Sequence, residues 1–415
     1  MSRLLQTRSL GEPSVAEVIL GQSPPSSAYN DSKDGLPFFQ GKADFGLMHP
    51  TPRMWCNAGQ KFAKAGDVLM SVRAPVGDVN IATGDCVIGR GVAAIRAGKE
   101  TDPWFLYFAL LHSKPILEAR ATGSTFASVN KTTLHELGIP FVKRSEQTAI
   151  GSVLRLVVER LGKEWLAVET AQELKHAAMA HLFSQGLRDE AQKETEIGSV
   201  PQSWDVVSFS TVRQWLQYGT STRCSTETAS YAVLRIPNIG SGAVIPDDLK
   251  YCDMPASEAA KYRLELGDLI FIRTNGVLER LGSCAVYRGA PQHALFASYL
   301  IRARLDLKRV EPRFVAHFYG SKLGTSLVAG RATPASDGKY NLNTGTIDAL
   351  PLPVPPTLDE QVEIADILDA IDAKIALHQQ KRAVLEELFK ALLHKLMTGE
   401  IDVNDLDLSA LQPAT

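Results

Sequence analysis

Cysteine, long apolar runs and catalytic signatures are what this chain of 415 residues has least of. Its five cysteines, Cys56, Cys86, Cys224, Cys252 and Cys284, are scattered, and no two stand in a C-x-x-C pair. That spacing argues against a zinc knuckle or a disulfide framework, and the nine histidines fall into no metal-ligand pattern. No metal site is expected. No apolar run reaches the ~20 residues of a membrane-spanning helix. Met1–Arg8 lack the apolar core of a signal peptide, so a cytoplasmic location is expected. There is no G-x-x-x-x-G-K-S/T loop, no G-x-G-x-x-G, no H-E-x-x-H and no G-x-S-x-G. The Asn-Pro-Pro-aromatic tetrad of adenine amino-methyltransferases is also missing. Pro246-Asp247-Asp248-Leu249-Lys250 faintly echoes a nuclease pattern, but the acidic residue such sites need at a greater distance is not there, and it reads as a polar loop.

What is present is a repeat. Pro140-Phe141-Val142-Lys143-Arg144-Ser145-Glu146-Gln147 leads into a long amphipathic stretch ending near Gly186, and Pro353-Val354-Pro355-Pro356-Thr357-Leu358-Asp359-Glu360-Gln361 leads into another ending near Gly399. The offset is half the chain, far beyond the roughly 20–50 residues of a solenoid unit. It implies a duplicated module with an approximate internal dyad. Residues 1–142 and 198–356 repeat each other more loosely. Gly66-Asp67 with Val68–Val72 and Arg73 matches Gly267-Asp268 with Leu269–Ile272 and Arg273, each read as a turn, a buried strand and an arginine at its end. Pro103–Leu111 and Pro312–Tyr319 read as short helices with proline in the first turn. Another short strand is expected at Val92–Ile95.

The formal net charge is −2, but it is unevenly distributed. Residues 1–142 carry 14 Lys+Arg against 12 Asp+Glu, for +2, and residues 198–356 carry 17 against 13, for +4. The remainder, 13 against 21, is −8. Acidity belongs to the helical segments and the tail, while the two globular segments are mildly basic. Such an excess suits a module that neutralises few phosphates, and equally suits ordinary surface charge.

In the second helical stretch Ile364, Leu368, Ile371, Ile375, His378, Arg382, Leu385, Phe389, Leu392 and Leu396 step by four and three, the seam of a coiled coil. The corresponding positions of the first are Ile150, Leu154, Val157, Leu161, Glu164, Val168, Ala171, Lys175, Ala178 and Leu182. Thr357 and Glu360 have the spacing of a capping box. Each helix of roughly 40 residues would be about 60 Å long. If the two pack antiparallel about a dyad, Glu164 faces Arg382 and Val168 faces His378. A counter-charged pair inside the seam would fix its register.

These features, in this order and duplicated, resemble the DNA-specificity (S) subunit of type I restriction-modification systems. Gly35-Leu36-Pro37-Phe38-Phe39-Gln40-Gly41 and Gly198-Ser199-Val200-Pro201-Gln202-Ser203-Trp204 are similar to the openings of that family's target-recognition domains. The resemblance implies an α+β fold, with two pseudo-dyad-related target-recognition domains (mixed α/β, β-rich) separated by a long antiparallel two-helix coiled coil. The expected division is 1–142 and 198–356 as recognition domains, 143–187 and 357–400 as helical spacers, 188–197 as a linker and 401–415 as a C-terminal tail. It further implies a non-catalytic subunit that reads one half of a bipartite double-stranded DNA site with each domain. Two methyltransferase subunits would carry S-adenosylmethionine, and translocase-nuclease subunits ATP and Mg. No cofactor is expected on this chain.

Residues able to make bidentate base contacts or phosphate contacts are the candidates for DNA binding. In the first domain these are Arg73, Ser124, Thr125, Asn130 and Lys131. In the second they are Arg273, Thr274, Asn275, Arg280, Arg331, Lys339, Tyr340 and Asn341. Arg73 and Arg273 stand out because both follow the same strand. Two rival readings are a non-DNA scaffold, in which a coiled coil holds two binding domains apart, and a nuclease.

Overall fold

The computed structural model describes residues 5–122, 127–240 and 242–407. Two compact units are present, residues 1–167 with 378–415 and residues 168–377. The division does not fall at the ends of the long helices, Arg144–Gln185 and Leu358–Thr398, but in the middle of each. Each unit therefore owns the first half of one helix and the second half of the other.

The first unit is built on a four-stranded antiparallel sheet, in the order Ala16–Leu20, Val92–Ala97, Val68–Ser71 and Val79–Ile81. The second repeats it with Arg213–Tyr218, Leu300–Leu305, Leu269–Ile272 and Cys284–Val286, and adds a parallel edge strand, Gly242–Ala243. A two-stranded ribbon closes each unit, Gln6–Ser9 with Gly138–Phe141 in one and Asp205–Ser208 with Pro351–Val354 in the other. The α+β class and the repeat are thus visible strand by strand. The runs expected as strands and short helices fold as such, at Val68–Ser71, Val92–Ala97, Leu269–Ile272, Pro103–His112 and Pro312–Gly320.

The repeated Gly-Asp is a structural device. Asp67 and Asp268 are buried, and each accepts a backbone N–H three residues earlier, from Lys64 and Glu265, at 2.8 Å. Each also takes a two-pronged arginine from the strand beside it: Arg96 at 2.8 and 2.9 Å, and Arg304 at 2.9 Å twice. A carboxylate removed from water is tolerable only with such partners.

Helix Pro103–His112 is apolar nearly all round, as a helix buried on several sides must be. It packs on the first sheet, and Phe108 meets Phe389 of the second long helix at 6.0 Å. In the second unit Phe314 and Phe318 meet Phe183 of the first long helix at 5.4 Å. Burying each such ring is worth about 1.5–3 kcal/mol. The short helices thus seat on the far end of one long helix, while the near end of the other is held by a glutamine. Gln147, fully buried, accepts from Asp102 N–H at 2.8 Å and donates to the carbonyls of Glu100 (3.1 Å) and Val142 (2.8 Å). Gln361 repeats the arrangement with Glu311 N–H (2.9 Å) and the carbonyls of Arg309 (3.1 Å) and Pro355 (3.4 Å).

One local expectation is corrected, and two segments prove to be structured. Glu360 does not close a capping box: its backbone N–H reaches Thr357 Oγ1 at 3.4 Å, but its buried carboxylate accepts from Trp204 Nε1 at 3.3 Å. A buried indole N–H needs an acceptor, and Glu360 is the one in reach. The stretch expected as a linker contains the strand Gln192–Thr195, which pairs with Gly198–Pro201, because Ile197 and Val200 find a place in the second core. The described part of the tail, to residue 407, packs Val403, Ile401 and Leu406 against the first core. Gly186 and Gly399 end the two helices with φ of +68° and +75°, the left-handed stop that favours glycine.

In the second unit Asp369 gathers His317 (3.0 Å), Arg288 (2.9 Å) and Arg313 (3.2 Å). Burial pushes this carboxyl up, but hydrogen bonds from His317, Arg288 and Arg313 outweigh it and hold it well below the ordinary carboxylate range.

Two predictions follow from these anchors. Gln361→Ala leaves buried backbone groups unpaired at about 1–3 kcal/mol each. Urea unfolding followed through buried Trp204 should show a loss of about 2–4 kcal/mol. The exposed control Glu363→Ala should stay within about 0.5 kcal/mol, and equal effects would sink the role. For Asp369, a carboxyl whose folded pKa is depressed adds stability that is complete above the unfolded value of about 3.9 and is lost as pH falls through the folded value. The second unit should weaken below about pH 4, and Asp369→Asn should flatten that acid limb in pH-dependent melting. An identical acid profile would remove the claim.

Candidate nucleic-acid interface

In the second unit the strand Leu269–Ile272 runs out into Arg273 and the short strand Thr274–Asn275. This pairs with Tyr340–Asn341, which pairs in turn with Thr333–Pro334. These three short strands form a small sheet. It forms one wall of an open cleft of about 610 Å³, whose lining includes Arg273, Thr274, Asn275, Lys339 and Asn341. Five of the eight candidates of that domain are brought together. The Arg273 guanidinium stacks on the Tyr218 ring at 4.6 Å, and its Nη1 donates to Ser298 O at 3.4 Å. Its Nε, buried, has no hydrogen-bond partner. Lys339 forms an exposed pair with Asp337 at 2.7 Å.

The other three candidates lie elsewhere. Tyr340 packs against the second core. Arg280 is exposed on the turn Leu278–Arg280, and Arg331 donates to Leu327 O at 3.1 Å on the surface.

The first unit places Arg73 in a cleft of about 220 Å³ with Ser23, Gln40, Lys42 and Arg90. It adjoins a second hollow of about 690 Å³ that shares Gln40 and Lys42 and adds Arg53. Lys42, Arg53, Arg90 and Gln40 were not among the sequence candidates. The available signal was faint: Gly89-Arg90-Gly91 and Gln40-Gly41-Lys42 are cations beside turn glycines, and only folding sets them next to Arg73. Lys131 is exposed in the first turn of helix Lys131–His135. Asn130 caps that helix, accepting from Thr133 N–H at 2.9 Å. Its counterpart Asn343 does the same with Thr346 at 2.8 Å, so in both copies the amide oxygen is committed to the backbone. Ser124 and Thr125 lie outside the described residues.

Arg73 and Arg273 are not equivalent, contrary to the sequence expectation. Leu342 N–H donates to Arg273 O at 2.7 Å just as Val129 N–H donates to Val72 O at 3.0 Å. Arg73 bridges to Ser128, whereas Thr274 pairs with Asn341. The counterpart of Arg273 is therefore Val72, and that of Arg73 is Thr274. A shift of one residue in an extended segment turns a side chain to the other face.

The seam residues of the long helices are corrected as well. Glu164 pairs with His378, whose Nδ1 lies 2.6 Å from its carboxylate, and not with Arg382. The Arg382 guanidinium stacks on Trp165 at 4.3 Å and reaches Glu386 at 3.6 Å. The compact imidazole fits beside a buried carboxylate, while the long arginine stem carries its charge to the helix edge. In the second unit the seam residue Lys175 is matched by Asp372 at 2.7 Å.

His317, Asp369 and Asp372 bring three possible metal-ligand atoms within 4.8 Å of one another. Arg288, Arg313 and Lys175 already pair with these carboxylates, so the charges a cation would need are neutralised. In the Pro246–Lys250 loop Asp248 pairs with Arg235 at 3.0 Å, and the carbonyl of Asp247 holds Asn238 at 2.7 Å. Both contacts are those of a folded surface loop.

Each of the two copies of one sheet-and-helix module carries an open cleft with cations in its lining. The sequence model of the type I restriction modification DNA specificity domain matches residues 14–166 and again 231–387, and the chain belongs to that family. It is similar to the putative type I restriction enzyme MjaX specificity subunit of Methanocaldococcus jannaschii, 41% identical over 168 residues, which are 40% of this chain and 40% of that protein. It is also similar to the type I restriction enzyme EcoKI specificity subunit of Escherichia coli K12, 22% identical over 291 residues, 69% of this chain and 62% of that one. The matches thus span less than two thirds of these two relatives. The fold is that of the type I restriction-modification S subunit of M. genitalium, with a TM-score of 0.64 at 16% identity over 94% of this chain and 96% of that one. Specificity subunits of this family recognise DNA and are themselves non-catalytic. No helix among the described residues is long and apolar enough to cross a membrane.

Proposed function

We propose that this chain reads a bipartite double-stranded DNA target for a type I restriction-modification complex. Residues 1–142 would read one half-site and residues 198–356 the other, with the helical segments 143–187 and 357–400 setting the unread gap. The single observation carrying this reading is that both units place a cation-lined cleft after the same strand of the same sheet. Differences between the clefts support two different half-sites. The second offers Asn341, whose amide suits adenine, and Asn275, whose amide oxygen is held by Val277 N–H at 2.9 Å, while the first offers Arg73, Arg90 and Lys42, which suit guanine or phosphate. Arg280, Arg331 and Lys131, exposed outside the clefts, suit phosphates that position the protein without specifying sequence.

The chemistry would come from partners in the cytoplasm. Two methyltransferase subunits would bring S-adenosylmethionine, and translocase-nuclease subunits would bring ATP and Mg. The chain's own part is to bind, orient and space the DNA. The paired seam charges Glu164–His378 and Lys175–Asp372 support a ruler of one register.

Co-expression with the methyltransferase subunit and mapping of methylated adenines should give one bipartite motif with a fixed gap. An assembled complex that adds no methylation would overturn the reading. In the same complex, Arg273→Ala should cost about 1–3 kcal/mol and relax one position of the second half-site. Lys339→Ala should instead lower affinity for all sequences and flatten the slope of log K against log salt by about one. Unchanged affinity and slope in both variants would move the contact surface away from this cleft.

A further inference from the structure

We propose that Cys224 and Cys252 are a redox-modification site, which a peroxide-class oxidant closes to a cross-strand disulfide on the second unit. They stand 28 positions apart, so no sequence motif joins them. The fold sets them opposite each other. Ser225 N–H donates to Tyr251 O at 3.0 Å, and Tyr251 N–H donates to Ser225 O at 2.9 Å. Residues 225 and 251 are therefore a hydrogen-bonded antiparallel pair, an isolated bridge, and Cys224 and Cys252 flank it on the same side, in the position of a non-hydrogen-bonded pair. In that position side chains project to the same face and Cα atoms lie about 4.5 Å apart, within the roughly 4.4–6.8 Å that a disulfide spans. The two side chains pack in one small apolar cluster with Val233, Ala259 and Leu295.

The two thiols differ in access. Cys224 is half-buried and its Sγ lies 3.2 Å from Thr222 O, whereas Cys252 is 4% exposed. Burial, and then the neighbouring Cys224, push the Cys252 thiol up to about 11. Cys224 is thus the sulfur that meets the oxidant. Its thiolate attacks one peroxide oxygen, the O–O bond breaks, and hydroxide leaves, taking up the proton the thiol had shed to give water and a sulfenic acid. The Cys252 sulfur then attacks the Cys224 sulfur, the S–O bond breaks, and a second water leaves. Two thiols are oxidised by two electrons and one peroxide is reduced.

The other three cysteines, Cys56, Cys86 and Cys284, are buried. The segment that leads to Cys224 starts at the cleft wall: Ser298 N–H donates to Thr220 O at 2.8 Å, and Ser298 O accepts from Arg273. A closed disulfide would tether the 220–225 segment next to that wall.

The test is brief treatment of the full chain with hydrogen peroxide, then thiol counting in denaturant and peptide mass spectrometry. Free thiols should fall from five to three, with one linked peptide pair, Cys224–Cys252, reversed by dithiothreitol. Cys252→Ser should instead accumulate a dimedone-trapped sulfenic acid on Cys224, and Cys224→Ser should keep its four remaining thiols. Five surviving thiols, a disulfide joining other cysteines, or Cys224 passing to sulfinic acid beside a free Cys252 would each overturn the proposal.

Discussion

Each half of this protein depends on one buried amide. Gln147 and Gln361 sit at the first turn of a long helix, where the chain leaves a small sheet. Each satisfies an N–H and two carbonyls of segments that would otherwise meet with unpaired polar groups. An unpaired buried backbone group costs as much as several ordinary contacts gain. The amide therefore dictates where helix, ribbon and short helix join. Everything further along the helix inherits that direction.

From that joint the two kinds of surface separate. Carboxylates locked by arginine, asparagine caps and the glutamine amide recur in both units and serve the backbone. The cations of the clefts do not recur. Arg273 has Val72 as its counterpart and Arg73 has Thr274. A repeated frame with unrepeated cleft residues fits the proposed reading of two different half-sites, because the frame must place a cleft and the cleft must differ. Arg273, stacked on Tyr218 and tied to Ser298, is pre-organised in a way that an exposed lysine is not.

Much of the frame was legible in the chain. The seam positions from Ile150 to Leu182 and from Ile364 to Leu396 are mostly buried, as their spacing required. The Gly-Asp turns and proline-started helices also fold where their residues indicate. The candidate site was legible only in part. Arg273, Thr274, Asn275, Lys339 and Asn341, chosen as side chains able to contact bases or phosphates, share one cleft. Lys42, Arg53, Arg90 and Gln40 were missed, since they come from separate loops that only the sheet brings together. Asn130 looked like a base reader and is a helix cap. The identity of a polar side chain does not say which of its bonds the backbone has already taken.

The sequence by itself determined the repeat, the helical seam, the lack of catalytic signatures and the basic character of the globular segments. These are properties of spacing and composition, and a helix or strand expresses them locally. Tertiary structure alone decided which side chains meet: Glu164 with His378, Glu360 with Trp204, Lys175 with Asp372, and Cys224 with Cys252. The physical reason is register. Partners far apart in the chain are chosen by packing over many residues, and a shift of one residue in a strand or one turn in a helix changes every partner.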